Sequence, residues 1–170
     1  KTLVMDVDYM LCTSDLKQAL ENTEQFQIYQ HATDIHFDRD DTEFKYTSPV
    51  GPVFYWATVF CFEKTNDVKF FFDLLKKVQD NYSYYVEQYK FHNVMFRNDY
   101  LFSIVINMLG HSFVKELPGK MFYSLDRDNP ISLKDNVFKA FVQKRRERIP
   151  VELKDCDIHI MNKYWLEDVL

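Results

Sequence analysis

The chain has 170 residues, 46% of them hydrophobic, which is enough for one substantial core and a single domain over residues 1–170. Its net charge of −5 argues against a protein that grips nucleic acid over a broad surface, because that needs a positive field. Only Gly51, Gly110 and Gly119 are available, so neither GxGxxG nor GxxxxGK[ST] can be written, whereas 16 Phe and 11 Tyr point to an aromatic-rich core.

Thr2 to Met5 read as a short, fully apolar strand of the kind buried on both faces of a largely parallel sheet. Ser14 is placed to cap a helix over 15–22, and Gln25 to Thr33 alternates well enough for a strand. The polar, turn-rich stretch 34–52 is a long loop, and Val53 to Phe62, dense in β-branched and aromatic residues, is a central strand. Phe70, Phe71, Leu74, Leu75, Val78, Tyr82 and Tyr85 recur at helical spacing and predict one long amphipathic helix capped near Asn66. Asn98 caps a further helix over 99–109 that ends at Gly110, and MFYSLD is a short strand. Ser132 to Asp135 matches a capping box ahead of Val137, Phe138, Phe141 and Val142, predicting a helix with the basic cluster KRRER, Lys144 to Arg148, at its end. CDIHIMN is strand-like, and Tyr164 to Leu170 forms a terminal helical turn. Strands and helices alternate, so the class is α/β with one mixed sheet flanked by helices.

The motif with chemical content is MDVD. In a strand, residues two apart face the same side, so Asp6 and Asp8 converge if the strand continues through the turn. Two carboxylates that close repel, and a hard divalent cation such as Mg²⁺ or Mn²⁺ resolves this by keeping both ionised. The chain holds 17 aspartates and four Asp-x-Asp triplets, at 6, 38, 126 and 155, so the triplet alone selects nothing. Only the first directly follows an uninterrupted apolar run; capping of the next helix or a surface turn is the alternative. Cys12, Cys61 and Cys156 are odd in number and lack CxxC spacing, which suits a reducing compartment, and no run is long and apolar enough for a membrane span, so a cytoplasmic protein is expected.

VMDVDYML resembles the Asp-x-Asp strand end of GT-A glycosyltransferases. The pattern MDVDYMLCTSDL, FYWATVFCFEKT, FRNDYLFSIVIN, LPGKMFYSLDRD and DIHIMNK is similar to a phage and bacterial group of nucleotide-diphospho-sugar transferases across nearly the whole chain. The resemblance implies transfer of a sugar from a nucleotide-diphospho-sugar, a UDP-sugar foremost, to a glycan, protein or modified nucleic acid, in the host cytoplasm if the gene is a phage's. It also implies that an N-terminal nucleotide-binding half of roughly a hundred residues is missing, since only five residues precede Asp6, and the chain then reads as a fragment.

On this resemblance Asp6, Asp8 and His159 surround Mn²⁺ or Mg²⁺, Lys163 contacts the diphosphate, and Asn162 touches sugar or phosphate. Taken alone, His159 between Ile158 and Ile160 is first an ordinary polar strand residue. Asp99, with Arg97 beside it as a substrate contact, takes the place of the family's acidic residue facing the donor sugar, where it binds hydroxyls or, in an inverting enzyme, acts as catalytic base. The plain alternative is a helix start in which Asn98 caps and Arg97 pairs locally. Trp56 is a candidate for stacking on a sugar although core packing is its default, and Lys120 is a candidate second diphosphate contact. KRRER is first a solvated helix end and second a patch for an anionic acceptor. The rival enzyme reading is a metal-dependent phosphodiesterase or nuclease, which needs a second metal and further carboxylates, with the DRD triplets as its candidates; a non-catalytic carbohydrate-binding or assembly module is the third.

Overall fold

The computed structural model describes residues 1–36, 46–91, 95–125, 128–144 and 146–166. The chain runs β1 (Thr2–Met5), β2 (Tyr9–Met10), α1 (Asp15–Asn22), β3 (Phe26–Tyr29), β4 (Ala32–Asp34), β5 (Trp56–Phe62), α2 (Asn66–Asp80), α3 (Tyr82–Gln88) and α4 (Asn98–Leu109). It continues with β6 (Val114–Glu116), β7 (Met121–Ser124), β8 (Asn129–Lys134), β9 (Val137–Lys144), β10 (Glu147–Lys154) and β11 (Asp157–Ile160), with single 3-10 turns at His111–Phe113 and Lys163–Trp165. The class is mixed α/β as expected, but the one mixed sheet is three: β1-β5-β3-β6, β2-β11-β7-β4 and the antiparallel β10-β9-β8.

These stack in layers. Helices α2 and α4 pack Phe71, Leu75, Val78, Phe102 and Ile106 onto Phe26, Ile28 and Phe60 of the first sheet, and Phe26 alone meets six other phenylalanine rings, Phe71 at 4.7 Å between centroids. The opposite face of that sheet shares a second cluster with α1 and with Tyr9 and Tyr123 of the second sheet. The other face of the second sheet, Met10, Phe122, Ile158 and Ile160, packs on Phe138, Ala140 and Val142 of the third. Among the described residues no helix is long and apolar enough to cross a membrane.

Several sequence expectations change. β1 is a strand, but it pairs only with β5, antiparallel, and lies at the sheet's end with Val4 and Met5 exposed. A four-residue apolar run does not by itself distinguish an edge from a centre, since exposed apolar residues are common. The stretch 25–33 is two strands in two different sheets. The long helix breaks at Asn81, and its start is capped by Thr65, whose side chain accepts from Val68 N.

The helix expected after Ser132 is a β-hairpin. Asp135 and Asn136 have φ of +52° and +59°, a left-handed pair that tight hairpins favour, and Phe138, Ala140 and Val142 are buried at a spacing of two rather than three or four. Lys144 and Arg146 to Arg148 of KRRER therefore flank the β9–β10 turn and not a helix end, and Arg145 lies outside the described residues. The DRD triplet at 38, with the middle of the expected 34–52 loop, lies outside the described residues, as do Asp126 and Arg127 of the second DRD and residues 167–170 of the expected terminal helix.

Candidate metal centre

The first motif bridges two sheets. Asp6 N donates to Thr58 O at 2.9 Å, extending the β1–β5 pairing by one residue, and Tyr9 N then donates to Asp6 O at 3.2 Å, closing a turn over residues 6–9. Beyond the turn the chain joins β11, with Ile160 N donating to Asp8 O at 2.8 Å. The two aspartates are thus not neighbours on one continuing strand; they flank a tight turn, and Val7 between them is 85% exposed. Their convergence nevertheless survives, because β11 brings His159 to the same spot.

Ligand atoms of Asp6, Asp8 and His159 all lie within 4.8 Å of one another. Asp8 is buried, and its Oδ1, 3.3 Å from His159 Nε2, makes no hydrogen bond. His159 Nδ1 lies 3.4 Å from the Thr58 hydroxyl of the first sheet, a partner that turns Nε2 toward Asp8. Lys163, largely exposed, reaches Asp8 Oδ2 at 3.5 Å. Partial loss of water around the Asp6 carboxyl raises its pKa, the Asp8 charge raises it further and Asp99 adds to this, while His159 and Lys163 pull the other way. Two oxygens and one nitrogen around a buried acceptor without a donor fit a divalent cation such as Mn²⁺, for which carboxylate and imidazole are both suitable ligands.

Asp99 reaches the rim of this centre, close enough to act on Asp6, but its carboxylate is engaged. Oδ1 accepts from Ala57 N at 2.9 Å and Oδ2 from Arg97 Nη2 at 2.7 Å, which ties the start of α4 to β5. The helix begins at Asn98 with Arg97 at the cap position, and no side chain caps it. The Arg97 guanidinium also lies over Tyr100 and Phe54, 5.3 and 5.9 Å from the ring centroids. Asn162 follows β11, and its Oδ1 accepts from Tyr164 N at 3.3 Å.

Two candidates are elsewhere. Trp56 is 2% exposed, wedged edge-on to Phe54 and against Tyr123 in the core, so it offers no face to a sugar ring. Lys120 precedes β7, which runs parallel to β11 with Met121 opposite Asp157; this puts Lys120 at the far end of the sheet from His159, on a cleft with Thr13, Gly119 and Cys156.

A second group was invisible in the sequence. His36 Nε2 and Asp128 Oδ1 are 2.5 Å apart in full burial, Asp128 Oδ2 accepts from Leu125 N at 2.7 Å, and Asp34 Oδ1 accepts from His36 N at 2.9 Å. Their ligand atoms also fall within 4.8 Å. The Asp-x-His spacing of Asp34 and His36 is the only local signal; Asp128 joins from 92 residues away. The triplet at 155 has a structural role: Asp157 Oδ1 accepts from Cys12 N and Thr13 N at 2.8 and 2.9 Å, and its Oδ2 accepts from Tyr9 OH at 3.3 Å.

No family model, no curated protein and no solved structure matches the chain.

Proposed function

We propose that the chain carries the donor site of a metal-dependent glycosyltransferase that uses a nucleoside-diphospho-sugar. The observation that carries this reading is the buried, donor-less Asp8 Oδ1 facing His159, with Asp6 close by and the Lys163 ammonium on the other Asp8 oxygen. Asp6, Asp8 and His159 would hold Mn²⁺ or Mg²⁺, which supplies charge neutralisation for a diphosphate leaving group. Lys163 is exposed along its length and mobile enough in reach to move from Asp8 to a phosphate oxygen, where it acts as a point charge. Asp99, its charge already balanced by Arg97, serves better as an acceptor for a sugar hydroxyl than as a proton-abstracting base.

Among the described residues, the second group stands too far from the first to complete the two-metal site of a phosphodiesterase. His159 and Asp34 lie on one row of the second sheet, two strands apart through Tyr123, so the two carboxylate and histidine groups are separated by roughly 10 Å, against about 4 Å in two-metal sites. The test is calorimetric titration of nucleoside diphosphates and their sugars with Mn²⁺ and with EDTA, on the wild type and on Asp8→Ala. Binding that needs the metal and vanishes in Asp8→Ala supports the reading; wild-type binding that is indifferent to EDTA, or its complete absence, overturns it.

A further inference from the structure

We infer that Cys12 and Cys156 form an intramolecular disulfide when a low-molecular-weight disulfide such as oxidised glutathione is supplied, stapling β2 to β11 at the end opposite the carboxylate centre. The inference rests on strand register alone and is independent of the donor-site reading.

β2 and β11 pair antiparallel with Met10 opposite Ile158 and Tyr9 opposite His159, and the Asp8–Ile160 hydrogen bond continues that register in one direction. Carried two residues the other way, it sets Cys12 opposite Cys156. Opposed residues share a face with Cα atoms about 4.5–5.5 Å apart, inside the span a disulfide bridges. Asp157 keeps the chain alongside past the last backbone pair by holding Cys12 N and Thr13 N. Both side chains join the same apolar cluster, Cys12 buried within it and Cys156 packed against it.

Electrostatics agree with this proximity. The Cys156 thiol is pushed up to about 11, first by burial and next by Cys12, and burial also raises Cys12. Both sulfurs are therefore thiols at neutral pH, so exchange is slow. Cys156 is only half-buried and lines a cleft of about 440 Å³ with Thr13, Lys120 and Lys154, which gives the reagent access. Cys61, fully buried beside the Thr23 hydroxyl at 3.0 Å, serves as an internal control.

The chemistry proceeds in two exchanges. The Cys156 thiolate attacks one sulfur of glutathione disulfide, forming a mixed disulfide and releasing one glutathione thiolate. The Cys12 thiolate then attacks the Cys156 sulfur, forming the Cys12–Cys156 bond and releasing the second. Two protein thiols are oxidised, one glutathione disulfide is reduced to two glutathiones, and the two protons go to the leaving thiolates.

The full chain is incubated in a glutathione redox buffer at mildly alkaline pH, alkylated, digested without reduction and mapped by mass spectrometry, with thermal melts run in parallel. A single linked peptide pair containing Cys12 and Cys156, lighter by two hydrogens, is expected, with a rise in Tm of about 5 °C or more that dithiothreitol reverses. Cys61→Ser leaves both readouts unchanged, and Cys156→Ser removes both. Cys12→Ser stops at the Cys156 glutathione adduct. The inference is overturned if wild-type Cys156 accumulates as that adduct while Cys12 stays alkylatable, if Cys12 links to Cys61, or if both thiols remain alkylatable in an oxidising buffer.

Discussion

Two groups of two aspartates and one histidine each draw one residue from a single row of the second sheet, His159 in one and Asp34 in the other, yet their surroundings differ in kind. In the Asp34, His36 and Asp128 group, backbone donors fill Asp34 Oδ1 and Asp128 Oδ2 and the histidine fills Asp128 Oδ1, all of it away from solvent. In the Asp6, Asp8 and His159 group, one carboxylate is exposed, one buried oxygen has no donor, and a solvent-facing lysine supplies the nearest cation. Ligand-like residue types within 4.8 Å are common to both. What separates the candidate binding centre from the clasp is a route to it from water, through the exposed Asp6 and Lys163, where Asp34, His36 and Asp128 are all buried.

The sharpest test of that contrast is Asp128→Ala. It leaves His36 buried without its carboxylate and Leu125 N without its acceptor, and should cost about 3–5 kcal/mol in urea or thermal melts while leaving Mn²⁺ affinity of the folded protein within about twofold. Asp8→Ala should do the reverse, weakening Mn²⁺ binding by about 100-fold or more in calorimetry while Tm in EDTA stays level or rises. If these two outcomes exchanged places, the roles assigned to the groups would have to be exchanged too.

A smaller effect is expected from Lys163→Met. Removing the ammonium from Asp8 should tighten Mn²⁺ binding in the absence of nucleotide by about 3-fold to 10-fold, and weaken binding of a nucleoside diphosphate with Mn²⁺ present, both read by calorimetry. The smallest concerns Tyr9 and Tyr29, whose hydroxyls meet near Asp157. Burial pushes Tyr29 up to about 12 and raises Tyr9 as well, so the fold favours both phenols neutral. The stability this contributes is fully present below the unfolded value of about 10 and is lost as pH rises toward about 12. Melts across that range, paired with tyrosinate absorbance, should show two tyrosines ionising late, together with unfolding.

The first motif was legible because an apolar run followed at once by two carboxylates is unusual, and β11 with His159 on it was legible from alternation, whereas Lys163 entered only through the resemblance. What escaped depended on distance or on direction. Asp128 meets His36 only through the turn that follows β7, and no spacing rule spans that gap. Lys120 was open to a second diphosphate contact in sequence until the parallel pairing of β7 and β11 put it at the other end. Trp56 had two outcomes in sequence, ligand platform or core, and a strand at the centre of its sheet, covered on both faces, chose the core. The Ser132 capping box was overruled by Asp135 and Asn136, a dipeptide that accepts left-handed backbone and let a period of two prevail over a helix.

The turn at residues 6–9 is the place where the chain steps from one sheet to another. Asp6 is bonded to Thr58 of the first sheet, Asp8 to Ile160 of the second, and the Thr58 hydroxyl touches His159 across the gap. An ion held by all three residues would act as a rivet between two layers that otherwise meet through side-chain packing and the Thr58–His159 and Tyr9–Tyr29 contacts, so that amide exchange in β5 and in β11 would slow in step as the cation concentration is raised.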